Sequence, residues 1–197
     1  MTIRIVPFVA LPTSRWKNGA GIKRDIAEGK LGDGRTGWTF GVADIEGDAP
    51  FSCFPDTDRW FLPVSAGLVE LNVEPGPDRN DVALLNERSD PYPFPGDVPA
   101  ACRLLSQPIR VLNVMADRTS YRVSVQKLRF TEPRGFAWAS DEIGLVFIIE
   151  GKGRLEHDGR SEPLAGYDSL LADGGRPERC TLVPAGEMVA LIATVSV

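Results

Sequence analysis

Glycine and proline interrupt this chain so often that a long helix has little room. Twenty glycines and 16 prolines make up roughly 18% of it, against a usual ~12%. The longest stretch free of both runs from Ile109 to Glu132, and it alternates instead of carrying a helical stripe. Val111, Asn113 and Met115 share one parity, and Tyr121, Val123 and Val125 oppose Arg122, Ser124 and Gln126. That stretch reads as two strands joined at Ala116–Ser120. The same two-residue period, rich in β-branched and aromatic residues, recurs at Ile3–Phe8, Ile22–Ala27, Trp38–Ile45 and Leu68–Val73. It returns at Leu145–Ile149, Arg154–His157, Ser169–Ala172, Cys180–Val183 and Val189–Val195. The fold class that follows is all-β. Asp78–Asp90 stays open between a short helix and a hairpin strand, because Val82, Leu84 and Leu85 suit either.

Charge and cysteine content exclude several functions. With 22 basic and 27 acidic residues the net charge is −5, and a pI near 5.0 argues against a nucleic-acid partner, which needs a basic stripe. The apolar runs fall short of the roughly 20 residues that span a bilayer, and Met1–Ser14 lacks the character of a leader. The expectation is a cytoplasmic protein with no membrane partner; association into a homo-oligomer is left open. Cys53, Cys102 and Cys180 are scattered and suggest neither a disulfide framework nor a zinc site. They are expected to be buried, reduced thiols.

An internal repeat sets the expected domain plan. Asp58–Leu71 and Asp141–Leu155 each read as an apolar strand, a glycine turn and a second strand. Phe94-Pro95-Gly96-Asp97 matches Leu164-Ala165-Gly166-Tyr167-Asp168, and each copy ends in an apolar strand, Ile109–Met115 and Met188–Val195. Two related barrels follow. The expected division is residues 1–132 and 133–197, joined near Glu132–Asp141, the second barrel completed by strands from the first part of the chain.

Motifs then point to a family. Glu150-Gly151-Lys152-Gly153, His157-Asp158-Gly159 and Leu164–Asp168 are similar to the hairpins of a cupin, a small jelly-roll barrel. More specific are Trp16-Lys17-Asn18-Gly19-Ala20-Gly21, Lys23-Arg24-Asp25-Ile26, Pro50-Phe51-Ser52, Asp58-Arg59, Pro93-Phe94-Pro95-Gly96-Asp97 and Asn113-Val114-Met115. Together they resemble the HutD/Ves family of two-barrel cupins, densely from about residue 15 to 116. Ala20 departs from a third family glycine, and Lys23 and Asp25 replace the commoner Thr and Glu. The resemblance implies a bicupin, two tandem antiparallel jelly rolls of the RmlC-like type. It also implies a cytosolic protein without established catalysis, proposed to bind N-formylglutamate and so restrain histidine utilisation.

The residues themselves narrow the chemistry. Metal-dependent cupins use two or three His and a carboxylate, but this chain has one His. No metal and no cofactor are expected. His157, beside Asp158-Gly159, reads as a solvated surface residue. A barrel without metal offers an apolar cavity with a few orienting polar groups, suited to a small carboxylate metabolite. Arg59 is the first candidate contact, because its planar fork matches a carboxylate; pairing with Asp56 or Asp58 is the alternative. Arg24 shares a parity with Ile22 and Ile26, so it must meet an anion or form an internal salt bridge. Lys17 and Asn18 join them from a Trp-Lys-Asn-Gly turn. Asn113, between Val111 and Met115, needs either backbone partners or a ligand. Trp16, Trp38, Trp60 and Trp138 read as core before binding platform. The leading expectation is a binding protein. The competing one is a metal-free isomerase, epimerase or hydrolase drawing on Asp44, Asp56, Asp58 or Glu70.

Overall fold

A computed structural model describes residues 3–16, 19–172 and 177–197. Among them there is no α-helix; the regular elements are strands and one 3-10 turn at Phe8–Ala10. In chain order the strands are β1 (Arg4–Val6), β2 (Ser14–Arg15), β3 (Gly21–Lys30), β4 (Thr36–Ile45), β5 (Ala49–Pro50), β6 (Thr57–Pro63) and β7 (Val69–Gly76). Then come β8 (Arg79–Leu85), β9 (Tyr92–Pro95), β10 (Ala100–Leu104), β11 (Ile109–Asp117), β12 (Arg122–Phe130) and β13 (Arg134–Trp138). The last are β14 (Glu142–Glu150), β15 (Gly153–His157), β16 (Arg160–Leu164), β17 (Ser169–Ala172), β18 (Glu178–Pro184) and β19 (Met188–Ser196). The open window at Asp78–Asp90 is therefore a strand, β8, paired with β7.

The chain divides into two compact units, Pro12–Tyr121 and the combination of Met1–Leu11 with Arg122–Val197. The N-terminal unit sets a six-stranded sheet, β2-β3-β4-β11-β6-β9, over a four-stranded one, β5-β10-β7-β8. Ala43, Ile45, Phe61, Phe94, Ile109 and Val111 from the first meet Val69, Leu71, Val73, Leu85, Ala100 and Cys102 from the second in one apolar core. The C-terminal unit repeats the plan with β1-β17-β14-β19-β12 and β13-β18-β15-β16, cored by Val146, Ile148, Leu170, Leu182, Ala190 and Ile192 among others. Each unit is a jelly-roll barrel of the cupin kind.

The division falls at Tyr121/Arg122 instead of 132/133. The reason is hydrogen bonding: β12 lies against β19 over nine residue pairs, from Arg122–Ser196 to Phe130–Met188. The strand supplied from the start of the chain is β1, which pairs with β17. The two strands read from Ile109–Glu132 both exist but enter different sheets. Among the described residues of the Trp16–Gly21 segment, Gly19 is left-handed, with φ of 75°, and Ala20 is not, so position 20 does not require a glycine.

Candidate functional site

Strand register decides which polar side chains look into the N-terminal barrel. Directly paired residues of antiparallel strands project to the same face. Phe61 and Val111 belong to the apolar core, so their row partners face inward too. One inward row runs Thr39–Met115–Arg59–Phe94, and the next runs Asp25–Gly41–Asn113–Phe61–Tyr92. The barrel is therefore apolar at Ala43–Val111–Pro63 and turns polar two rows further on.

Arg59 is the dominant group in that polar region. It is 7% exposed and forms no ion pair among the described residues. Its Nε is buried with no hydrogen-bond partner, and one Nη donates over a long 3.4 Å to the Ser52 carbonyl. Three phenyl rings converge on the guanidinium carbon, Phe51 and Phe94 at 4.9 Å and Phe54 at 5.8 Å. Burial pushes its pKa down to about 10, with a small opposing effect from Cys53. The alternative partners do not pair with it: Asp58 binds Arg118 at 2.8 Å, and Asp56 is exposed, in a left-handed turn with φ of 55°.

Arg118 is a residue that sequence reasoning missed. It bonds Asp58, both carboxylate oxygens of Asp97 at 2.6 and 3.1 Å, and the Thr57 carbonyl at 2.6 Å. Hydrogen bonding to Arg118 holds the Asp97 carboxyl below its ordinary value, and the Arg118 guanidinium is raised in turn, first by Asp97 and also by Asp58. The clamp fixes the Pro93–Asp97 turn beside the Arg59 stem. A Cβ on Gly96 would stand 3.0 Å from the Thr57 carbonyl and 3.1 Å from Arg59 Cδ, so the turn needs glycine for close approach. The available signal was the pairing of Asp58 and Asp97 in the quoted motifs, whose shared partner lies outside them.

The other predicted residues separate. Asn113 is half-buried on the inward face, two residues along β11 from Met115, the cross-strand partner of Arg59. Its side chain has no hydrogen-bond partner among the described residues. Arg24 belongs to the opposite face, in the row Arg24–Val42–Leu112–Leu62. It bonds Asp44 at 2.6 Å, and Asp44 also receives Arg110 at 2.6 Å. Burial would raise the Asp44 carboxyl, but the hydrogen bonds from Arg110 and Arg24 together hold it low. Arg24 is thus part of an internal ion triad. Lys17 and Asn18 lie outside the described residues. Of the tryptophans, Trp38 and Trp138 are buried, and Trp16 packs against the N-terminal core.

Two expectations are corrected. His157 is not a solvated surface residue: its side chain is 11% exposed and its Nε2 lies 3.3 Å from Glu178, itself 4% exposed. It shares the parity of inward-facing Leu155 on β15, which turns the ring into the unit. Cys53 is exposed, unlike Cys102 and Cys180, because it lies in the irregular segment between β5 and β6. Two clefts, of about 670 and about 500 Å³, lie in the C-terminal unit, the first bordered by His157 and the second by Asp168. Neither touches Arg59.

A metal does not fit these residues. No group of three His, Cys, Asp or Glu able to hold an ion occurs among the described residues, and the inward rows offer a cation, Arg59, where a cupin metal needs imidazoles. No described helix is long and apolar enough to cross a membrane.

Comparison with known proteins places the chain in a family and its fold among solved structures. The HutD family profile matches residues 9–190. An uncharacterised 21.2 kDa protein in the hutC 3′ region of Pseudomonas putida is 29% identical over 168 residues, 83% of either chain. Protein Ves of Citrobacter koseri is 27% identical over 146 residues, 74% of this chain and 72% of its own. Among solved structures, HutD from Pseudomonas fluorescens SBW25 superimposes with a TM-score of 0.80 at 23% identity, covering all of both chains. Oxalate decarboxylase from Bacillus subtilis, covering all of this chain and 80% of its own, gives 0.68 at 10% identity; that likeness shows the cupin fold.

Proposed function

The chain belongs to the HutD family, and from that premise we propose that its N-terminal barrel binds a small carboxylate metabolite such as N-formylglutamate, with a regulatory role in histidine utilisation. The observation that carries the reading is Arg59: an arginine 7% exposed, with an unpartnered Nε and no ion pair to a carboxylate among the described residues. A buried charge left unpaired is unfavourable by several kcal/mol, and a ligand carboxylate is the group that relieves it, through bidentate charge-assisted hydrogen bonds. The rings of Phe51, Phe54 and Phe94 keep water away and strengthen that bond. Asn113, with an uncommitted amide on the same face, is the second contact. Arg24 is not part of the reading, since Asp44 already neutralises it. The name of the Pseudomonas putida relative, taken from the hutC region, supports the link to histidine utilisation.

Calorimetric titration of N-formylglutamate and simpler carboxylates tests the proposal. Arg59→Ala is expected to weaken binding by roughly 30- to 150-fold, the equivalent of about 2 to 3 kcal/mol. Arg59→Lys recovers part, because an ammonium keeps charge without the planar fork. Unchanged affinity in Arg59→Ala removes it from the site. Binding without turnover favours a sensor over an enzyme; of the carboxylates available for acid–base work, Asp44, Asp58 and Glu70 are already paired with arginines.

A further inference from the structure

As folded, Arg59 is out of reach of the ligand proposed for it. Its Nε is buried with no hydrogen-bond partner, so a carboxylate meets it only after part of its cover moves. Three rings lie against the guanidinium, and two of them are fixed. Phe94 belongs to the N-terminal core and Phe51 packs against that core, 5.8 Å from Phe61. Phe54 differs. It is 41% exposed, contacts no other ring among the described residues, and lies farthest from the guanidinium carbon, at 5.8 Å.

The backbone around Phe54 explains how it can move. Residues 51–56 lie between β5 and β6, outside any strand, and both ends are tied: the Phe51 N–H donates to the Ala100 carbonyl and the Arg118 N–H to the Asp56 carbonyl, each at 2.8 Å. Asp56 turns the chain with φ of 55°. Between these ends Ser52, Cys53, Phe54 and Pro55 are all exposed, and their ties are few. The Phe54 N–H donates to the Gly96 carbonyl at 2.7 Å, and Thr57 Oγ1 donates to the Pro55 carbonyl at 3.0 Å. The Cys53 sulfur contacts the Val98 carbonyl at 3.8 Å, and Arg59 reaches the Ser52 carbonyl over 3.4 Å. Exposed hydrogen bonds and few apolar contacts are what local opening at low free energy requires.

We propose that residues 52–55 form a strap whose Phe54 ring closes over Arg59, so that a carboxylate enters when the strap lifts between Phe51 and Asp56 and is then shut in beneath the ring. Closure excludes water from the guanidinium–carboxylate pair and strengthens it. The latch is the bond from Phe54 to Gly96, in the turn that Arg118 clamps through Asp97. Admission of a carboxylate rests on the reading above; the opening of the strap does not.

Butanedione, a small reagent that condenses with guanidinium groups, reads the opening without any ligand. The full chain is treated in borate buffer and modified arginines are located by peptide mass spectrometry, with Arg88, its side chain 89% exposed, as internal standard. Wild-type Arg59 is expected to react more slowly than Arg88. Phe54→Ala is expected to raise the Arg59/Arg88 rate ratio about tenfold, as when a state populated about a tenth of the time becomes permanent. Phe54→Leu should fall between, and Phe54→Trp at or below the wild type. An unchanged ratio in a folded Phe54→Ala variant overturns the proposal. Hydrogen exchange by NMR on the wild type needs no variant: the Phe54 amide is expected to exchange about a hundredfold faster than that of Val111, because it opens locally. Equal protection of the two amides overturns the strap. In stopped-flow mixing with N-formylglutamate, Phe54→Ala is expected to speed association about tenfold; faster dissociation with unchanged association means that the ring is only a contact, and overturns the proposal. Absence of N-formylglutamate binding by the wild type and Phe54→Ala alike overturns the function proposed above together with the admission of carboxylate, and leaves butanedione and hydrogen exchange to decide the strap.

Discussion

Arg59 opposes folding and serves binding. Burial is the main cause that moves its pKa from 12.5 down to about 10, a penalty of roughly 3 kcal/mol for keeping the charge at neutral pH. Contacts with three phenyl rings, weaker partners than tryptophan, offset part of that, at about 0.5 kcal/mol each. Arg59→Met, apolar and of similar length, is therefore expected to raise the stability of the ligand-free protein by about 1 kcal/mol while abolishing carboxylate binding. Urea unfolding of the two proteins checks this; a clear loss of stability would mean that the guanidinium is a structural tie. Arg59 was legible as a candidate because a fork-shaped cation leads into an apolar strand. Its lack of an ion pair among the described residues was not legible, since Asp56 and Asp58 lie close to it in sequence. Arg118, 60 residues from Asp58, decides that Asp58 is taken.

At the scale of elements, charge networks hold strands together. Asp44 of β4 ties Arg24 of β3 to Arg110 of β11. Its carboxyl is held below the ordinary value, so between the folded and unfolded pKa values the unfolded chain binds more protons. The stabilisation is complete above about pH 4 and is lost as pH falls through the folded value. Asp44→Asn is expected to destabilise by about 1 to 2 kcal/mol at pH 7, the arginines being only partly screened by water. The gap to the wild type should close in melts below about pH 4. Arg118→Ala should behave differently. Its side chain is 32% exposed, so the loss of stability is expected to be modest, about 1 kcal/mol. Carboxylate affinity should nevertheless fall several-fold, because the turn bearing Phe94 and Gly96 is no longer clamped beside Arg59. Arg118→Lys restores charge without the fork and should recover only part of the affinity in calorimetry.

For the whole molecule, unit membership follows pairing and not chain order. A fragment of residues 133–197 lacks both β12 and β1, which flank the five-stranded sheet, and is expected to show no cooperative thermal transition. A fragment of 122–197, which keeps the nine-pair ladder of β12 with β19, is expected to regain secondary structure by circular dichroism. What the sequence determined unaided was local: Gly/Pro spacing ruled out long helices, and the two-residue period located β3, β4, β7, β14, β15, β17, β18 and β19 within a few residues. Motif residues identified the family from the same string. Those signals are local because backbone sterics and face alternation act over a few residues. Tertiary structure alone decided three things: the unit boundary at Tyr121/Arg122, the face given to Arg24 against Arg59 and Asn113, and the clamp by Arg118. Each depends on which distant strand supplies the hydrogen-bonding partner and in what register, and a one-residue slip would reverse every face.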